Sequence, residues 1–133
     1  MSWQIALDTN IVIALLGADE NVIVRLESQP PGSVVLPSIV LHELYFGAFK
    51  GSPERLSDNL AKIQHLRFPV LDFSLADAEA AGRIRADLAR KGAPIGPYDA
   101  LIAAQALVRG LVLVTRNLRE FERIAGLRIA DWL

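Results

Sequence analysis

The sequence contains no cysteine, which excludes a disulfide framework, a thiolate metal site and a cysteine nucleophile. That absence suits a reducing cytosol, and no redox chemistry is visible. Nor does charge of one sign dominate: 14 basic against 15 acidic side chains leave a net charge of -1. Long apolar runs are missing as well. The N-terminus has no basic segment ahead of its hydrophobic stretch, and Gln4, Asp8 and Asn10 interrupt that stretch well short of the ~20 residues a membrane span requires. A cytoplasmic, soluble protein without a membrane partner is expected. No internal repeat or linker divides the 133 residues. One domain, residues 1–133, can bury roughly two thirds of the unfolded chain's surface at this length.

Hydrophobic residues make up 52% and charged residues 22%, a globular balance. The charges are unevenly spread. Residues 1–81 hold 5 basic and 10 acidic side chains, whereas residues 82–133 hold 9 basic and 5 acidic. A near-neutral molecule can thus still offer a local basic surface to an anionic partner, although two solvated faces of mixed charge would give the same tally.

Periodicity and punctuation divide the chain into alternating strands and helices. Trp3 to Leu7 reads as a short buried strand, and Asn10 to Leu16 continues with helical spacing up to Gly17. A helix over Asp19 to Ser28 precedes the turn QPPG and the β-branched strand SVVLP. Ser38 is expected as N-cap of a helix through IVLHELYFGAFKG, and Pro53 as first-turn residue of another from Glu54 to about Leu66. FPVLDF supplies a third strand. Ser74 and Asp77 form a capping-box pattern opening a long helix that leaves at Gly92. Pro97 then pre-sets the helix YDALIAAQALVRG, LVLVT is a nearly pure strand, ERIAG a short helix end and LRIADW a final short strand.

Strands apolar on both faces, alternating with helices, indicate the α/β class with a parallel sheet covered on both sides. In such sheets ligands sit beyond the carboxyl ends of the strands. Asp8 ends the first strand, Glu43 lies in the helix after the second, and Asp99 opens the helix before LVLVT. Three acids gathered in one crevice would repel one another and resist desolvation unless a cation neutralised them. No Lys or Arg stands within five residues of Asp8 or Glu43, so a hard divalent ion, Mg²⁺ or Mn²⁺, is the natural partner. Each acid also has a plainer role. Asp8 can cap the following helix, and Asp99 suits a helix first turn. Glu43, with Ile39, Phe46 and Gly47 as helical neighbours, is expected to face apolar surroundings, where an unpaired acid is costly.

His42 and His65 stand isolated and are assigned surface or core roles. Arg83, Arg85, Arg90 and Lys91 read as a solvated helix face. Arg109, Arg116, Arg119 and Arg123 are better placed for phosphate contacts.

Four blocks in order, LDTNIVIALL, SIVLHELYFGA, GAPIGPYDALIAAQAL and LVLVTRNLREFERIAGLRIADW, resemble the PIN domain ribonucleases of the VapC toxin type. The resemblance implies a Rossmann-like three-layer α/β/α sandwich and a Mg²⁺- or Mn²⁺-dependent endoribonuclease acting on structured RNA such as tRNA. It further implies a homodimer inhibited by a VapB-type antitoxin whose C-terminal segment crosses the active groove. Tyr45, Phe46 and Phe49 are candidates for these contacts, with at least one packed into the core. Asp8, Glu43 and Asp99 match the family's first three acids, and Asp8 and Asp99 are the implied metal ligands, with Glu43 orienting or deprotonating the attacking water. The usual next acidic position corresponds to Asn117, which keeps an oxygen and loses the charge. Either Glu120 supplies that charge through a water or a longer reach, or the site holds one ion; one tightly held ion is preferred. Thr9, Asn10 and Thr115 match supporting polar positions, and Arg116 and Arg119 possible phosphate contacts.

Three other classes share some of these features. A haloacid dehalogenase-like phosphatase would use an aspartate after the first strand as nucleophile, but needs another where Asn10 stands, and no distal lysine stands out. A phosphoacceptor receiver domain would not explain Glu43. A catalytically inactive PIN relative kept for binding is motivated by Asn117.

Overall fold

The structure, a computed structural model, describes residues 2–133. Among these, five strands form one sheet: β1 (Ile5–Leu7), β2 (Val34–Pro37), β3 (Val70–Leu71), β4 (Val112–Val114) and β5 (Arg128–Ala130). They lie in the order β3-β2-β1-β4-β5 with every neighbouring pair parallel. The helices between them are α1 (Thr9–Leu16), α2 (Glu20–Glu27), α3 (Ser38–Lys50), α4 (Leu56–Gln64), α5 (Leu75–Arg90), α6 (Pro97–Val108) and α7 (Leu118–Phe121), with a 3₁₀ turn at Pro53–Arg55. Helices α1 to α4 pack as one group and α5 on α6 as another. Because parallel crossovers are right-handed, reversing the direction of strand addition after β3 sends the second group to the opposite face of the sheet.

The central strands β1 and β2 are buried along their whole length, and Val12, Val22, Val40, Ile102, Ala103, Leu113 and Phe121 fill the layers beside them. Strand order reverses at β1, between β2 and β4, so the crevice at the carboxyl ends of β1 and β4 is where ligands are expected. Asp8 follows β1 and Thr115 follows β4 at that edge.

Three local expectations need correcting. Ser38 is the first residue of α3 and not its cap; strand β2 runs through Pro37 directly into the helix, leaving no side-chain cap. The Ser38 hydroxyl instead accepts a hydrogen bond from Gln105 Nε2 at 3.4 Å. The helix end expected in ERIAG is absent there: α7 lies wholly before it, over Leu118–Phe121. Arg109, read as a phosphate contact, turns inward and pairs with Asp77 at 2.8 Å. The capping box at Ser74 and Asp77 is present on both sides, and Gly92 and Gly110, at φ 68 and 67, leave their helices through the left-handed region that other residues resist.

Candidate active site

Asp8 is the first element of the site. Its backbone joins β1 to α1, and its side chain caps that helix, Oδ1 accepting from Thr9 N at 2.8 Å. Capping is therefore real, but it occupies only one carboxylate oxygen. Oδ2 accepts from Thr115 Oγ1 at 2.8 Å and from Asn10 Nδ2 at 3.5 Å. Thr115, fully buried, receives in turn the backbone N–H of Asn117 at 3.0 Å. Asn10 Oδ1 accepts from the backbone N–H of Arg116 at 3.1 Å. The expected supporting residues thus tie the end of β1 to the segment after β4 and fix the direction of the Asp8 carboxyl.

Glu43 joins from α3: its Oε1 accepts from Thr9 Oγ1 at 2.7 Å. It stands at a boundary, since it also lines a groove of about 320 Å³ with Ile13, Leu16, Leu44, Ala48 and Ile63. Its apolar neighbourhood is therefore present on one side only, and a hydroxyl satisfies it on the other.

Asp99 lies in the first turn of α6, and a Cβ added to Gly96 would come within 3.3 Å of its Oδ2. Glycine there leaves room for the carboxyl over the helix start. Burial pushes the Asp99 carboxyl up to about 7, helped by the charge of Asp8, a hydrogen bond shared with Glu120, and the charges of Glu120 and Glu43. Asp8, only 3% exposed, is raised above 3.8 by burial and by Glu43 and Glu120, against the hydrogen bonds of Thr115 and Thr9. Asp8, Glu43, Asp99 and Glu120 are thus within electrostatic reach of one another, and no Lys or Arg is among the groups that set either shift.

Glu120 brings the fourth acid, half-buried on α7. Asn117 stays at the exposed rim, where its side chain caps nothing. Arg116 and Arg119 are exposed beside it. Among the described residues no three His, Cys, Asp or Glu side chains close into a ready-made ligand group. An open set suits Mg²⁺, which takes one or two carboxylates and completes its shell with water and phosphate oxygens. The donor chemistry, oxygen only and anionic, fits a hard divalent ion.

Sequence reasoning misses the partner of Asp77. That carboxylate is wholly buried on α5, and Arg109 grips both of its oxygens at 2.8 and 3.1 Å while also donating to the Gln105 and Asp72 carbonyls. The capping box is a legible signal, but nothing local points 32 residues ahead.

Compared with known proteins, the sequence matches the PIN domain over residues 5–127. The chain belongs to the PIN domain family. This PIN domain is 47% identical over 129 residues to the tRNA(fMet)-specific endonuclease VapC of Salmonella typhimurium, covering 95% of this chain and 96% of that one. Its identity to the protein of the same name from Shigella flexneri is 45% over equal coverage. In three dimensions it superposes on the VapBC complex of Salmonella typhimurium bound to DNA with a TM-score of 0.91 and 43% identity, over 98% of this chain and 99% of that one. The expected three-layer α/β fold and VapC-type kinship stand, and the dehalogenase-like and receiver readings end here. No helix among the described residues of this PIN domain is long and apolar enough to cross a membrane.

Proposed function

We propose that residues 1–133 form a single PIN domain acting as the toxin of a VapBC-type pair, a cytoplasmic endoribonuclease that uses Mg²⁺ or Mn²⁺. The observation that carries this reading is the gathering of acids at the carboxyl ends of β1 and β4: Asp8, 3% exposed, is held by Thr9, Asn10 and Thr115, Glu43 is joined to it through the Thr9 hydroxyl, and burial with the neighbouring acids raises the Asp99 carboxyl. Such a cluster is poorly matched to its own fold unless something positive completes it. Asp8 and Asp99 would hold the ion, one tightly held ion being the number preferred. When bound, it supplies a water acidified toward neutrality and neutralises charge developing on the phosphate oxygens.

The protein's own share is orientation and proton traffic. Thr115 and the Thr9 N–H hold the two Asp8 oxygens in one direction. Glu43, aligned by the Thr9 hydroxyl, is the base that takes the proton of the attacking water on a carboxylate oxygen. Asn117 lies at the exposed rim and brings no charge, in keeping with a single ion. Arg116 and Arg119 contact phosphates flanking the cut.

Relatives named as tRNA(fMet)-specific endonucleases support structured RNA, and tRNA in particular, as the substrate class, cut where unstacked backbone can enter a crevice. The partner is a VapB-type antitoxin, and the chain acts as a homodimer. Phe46 and Phe49, 58% and 65% exposed on α3, offer apolar surface for those contacts, while Tyr45 packs on the core. Purified protein should cut RNA in Mg²⁺ or Mn²⁺ and stop on addition of EDTA. Asp8→Asn and Asp99→Asn should each lower cleavage by roughly 10³-fold with a native circular dichroism spectrum; normal cleavage by both variants would end the assignment.

A further inference from the structure

The site has two flanks of different chemistry. On the α7 side stand the exposed guanidinium groups of Arg116 and Arg119. On the two helices that carry Glu43 and Asp99 two rings meet: His42 on α3 and Tyr98 on α6, with centroids 5.4 Å apart and planes inclined by 50°. Each ring directly precedes an acid of the site, His42 before Glu43 and Tyr98 before Asp99. The pair thus bridges the two helices that deliver those acids, and α3 and α6 are already joined at their buried ends through Ser38 and Gln105.

Both rings face solvent, Tyr98 at 49% exposure. Apolar surface of this kind beside a cluster of carboxylates gains nothing from the core. Its neighbours on α3 are different. Phe46 lies one helical turn further on, under the Lys50 ammonium at 5.5 Å, and Phe49 stacks on Tyr45 at 6.2 Å. Those rings have partners on α3 alone, whereas the exposed His42–Tyr98 pair joins α3 to α6.

We infer that His42 and Tyr98 form a stacking platform for an unpaired base of single-stranded RNA, next to the phosphodiester that lies over Asp8 and Asp99. The inference rests on the ribonuclease reading of the same site and adds where the substrate's bases go. A nucleotide chain needs two kinds of contact, cations along its phosphates and π-faces for its splayed bases. Arg116 and Arg119 provide the first and the ring pair the second, and the strand between them crosses the acids. Stacking of this type tolerates any base, because every base has a π-face.

The test is steady-state cleavage of end-labelled tRNA, whose loops carry unpaired bases, in Mg²⁺ by the full chain. Tyr98→Ala should raise KM about tenfold, the loss expected for one stacked base, with kcat keeping most of its value. Tyr98→Phe should restore KM, and His42→Ala should move KM the same way by less. If the unmodified chain cuts nothing, the ribonuclease reading fails and the platform with it. If it cuts while Tyr98→Ala keeps its KM, the platform alone is overturned. A loss confined to kcat overturns it equally, as does intact cleavage together with weakened binding of the antitoxin, which would make these rings a protein-facing surface.

Discussion

Two buried aspartates at helix starts make an instructive pair. Asp77 on α5 and Asp8 before α1 are 0% and 3% exposed, and each caps the first turn of a helix. Burial alone would push the Asp77 carboxyl up, yet the hydrogen bonds and charge of Arg109, with the Ser74 backbone N–H, hold it below 3.8. Asp8 has burial without a cation, and it is raised. The first is an acid whose electrostatic needs are met inside the chain; the second is one whose needs are left for something outside it. A buried charge with its own partner belongs to the architecture, and a buried charge among like charges belongs to chemistry.

The largest effect expected from breaking this contrast is on stability at the satisfied acid. Arg109→Met leaves Asp77 buried and unpaired and should cost about 3 kcal/mol, read as a lower urea midpoint at unchanged slope, while cleavage measured well below that midpoint persists. A midpoint shift within experimental error would mean that solvent, and not Arg109, satisfies Asp77.

At the unsatisfied acid the effect falls on activity. Thr115→Val keeps the shape of a fully buried residue and removes the hydroxyl that donates to Asp8 Oδ2. Loss of a partner that orients a ligand typically lowers activity or metal affinity 10- to 100-fold, so cleavage should fall by about that factor. Wild-type rates in this variant would show that Asp8 needs no such support.

The contrast is only partly legible from sequence. An acid inside IALDTNIVIALL and another, Glu43, among apolar helical neighbours are anomalies of local pattern, whereas Asp99 suits its helix start and is singled out by its place before LVLVT. The parallel sheet is legible for the same reason, since apolar runs such as VVLP and VLV need both faces covered. Contacts that depend on tertiary closure are not. Thr115 reaches Asp8 across 107 residues, and Arg109, one of several arginines near the C-terminal end of the chain, carries no sign that it turns inward to Asp77. Ser38 shows the opposite failure: a good capping residue does not cap, because β2 passes into α3 without a loop. Whether Glu120 stands in for the charge lost at Asn117 or the site holds one ion is open in the sequence, and only the fold brings Glu120 near Asp99.

A smaller effect is expected in the pH dependence of stability. Asp99 has its folded value raised from 3.8 to about 7, so its stabilising contribution is complete below 3.8 and is lost as pH rises through about 7. Asp8 acts in the same direction. Asp77, lowered, contributes above 3.8 and loses that contribution only as pH falls below it. Metal-free protein should therefore melt a few degrees lower at pH 8 than at pH 5. Asp99→Asn should flatten that difference, and Mg²⁺ should reverse it at pH 8 by binding the folded state. A melting temperature that climbs steadily from pH 5 to pH 8 without metal would contradict the raised value.

The cation site proposed at Asp8 and Asp99 is probed most directly by a calorimetric titration of Mn²⁺ into the metal-free protein at pH 7.5. One binding event per chain with release of protons is expected, abolished in Asp8→Asn and Asp99→Asn and retained in Arg109→Met. Absence of binding in the unmodified chain, or identical isotherms for all of these proteins, would contradict it.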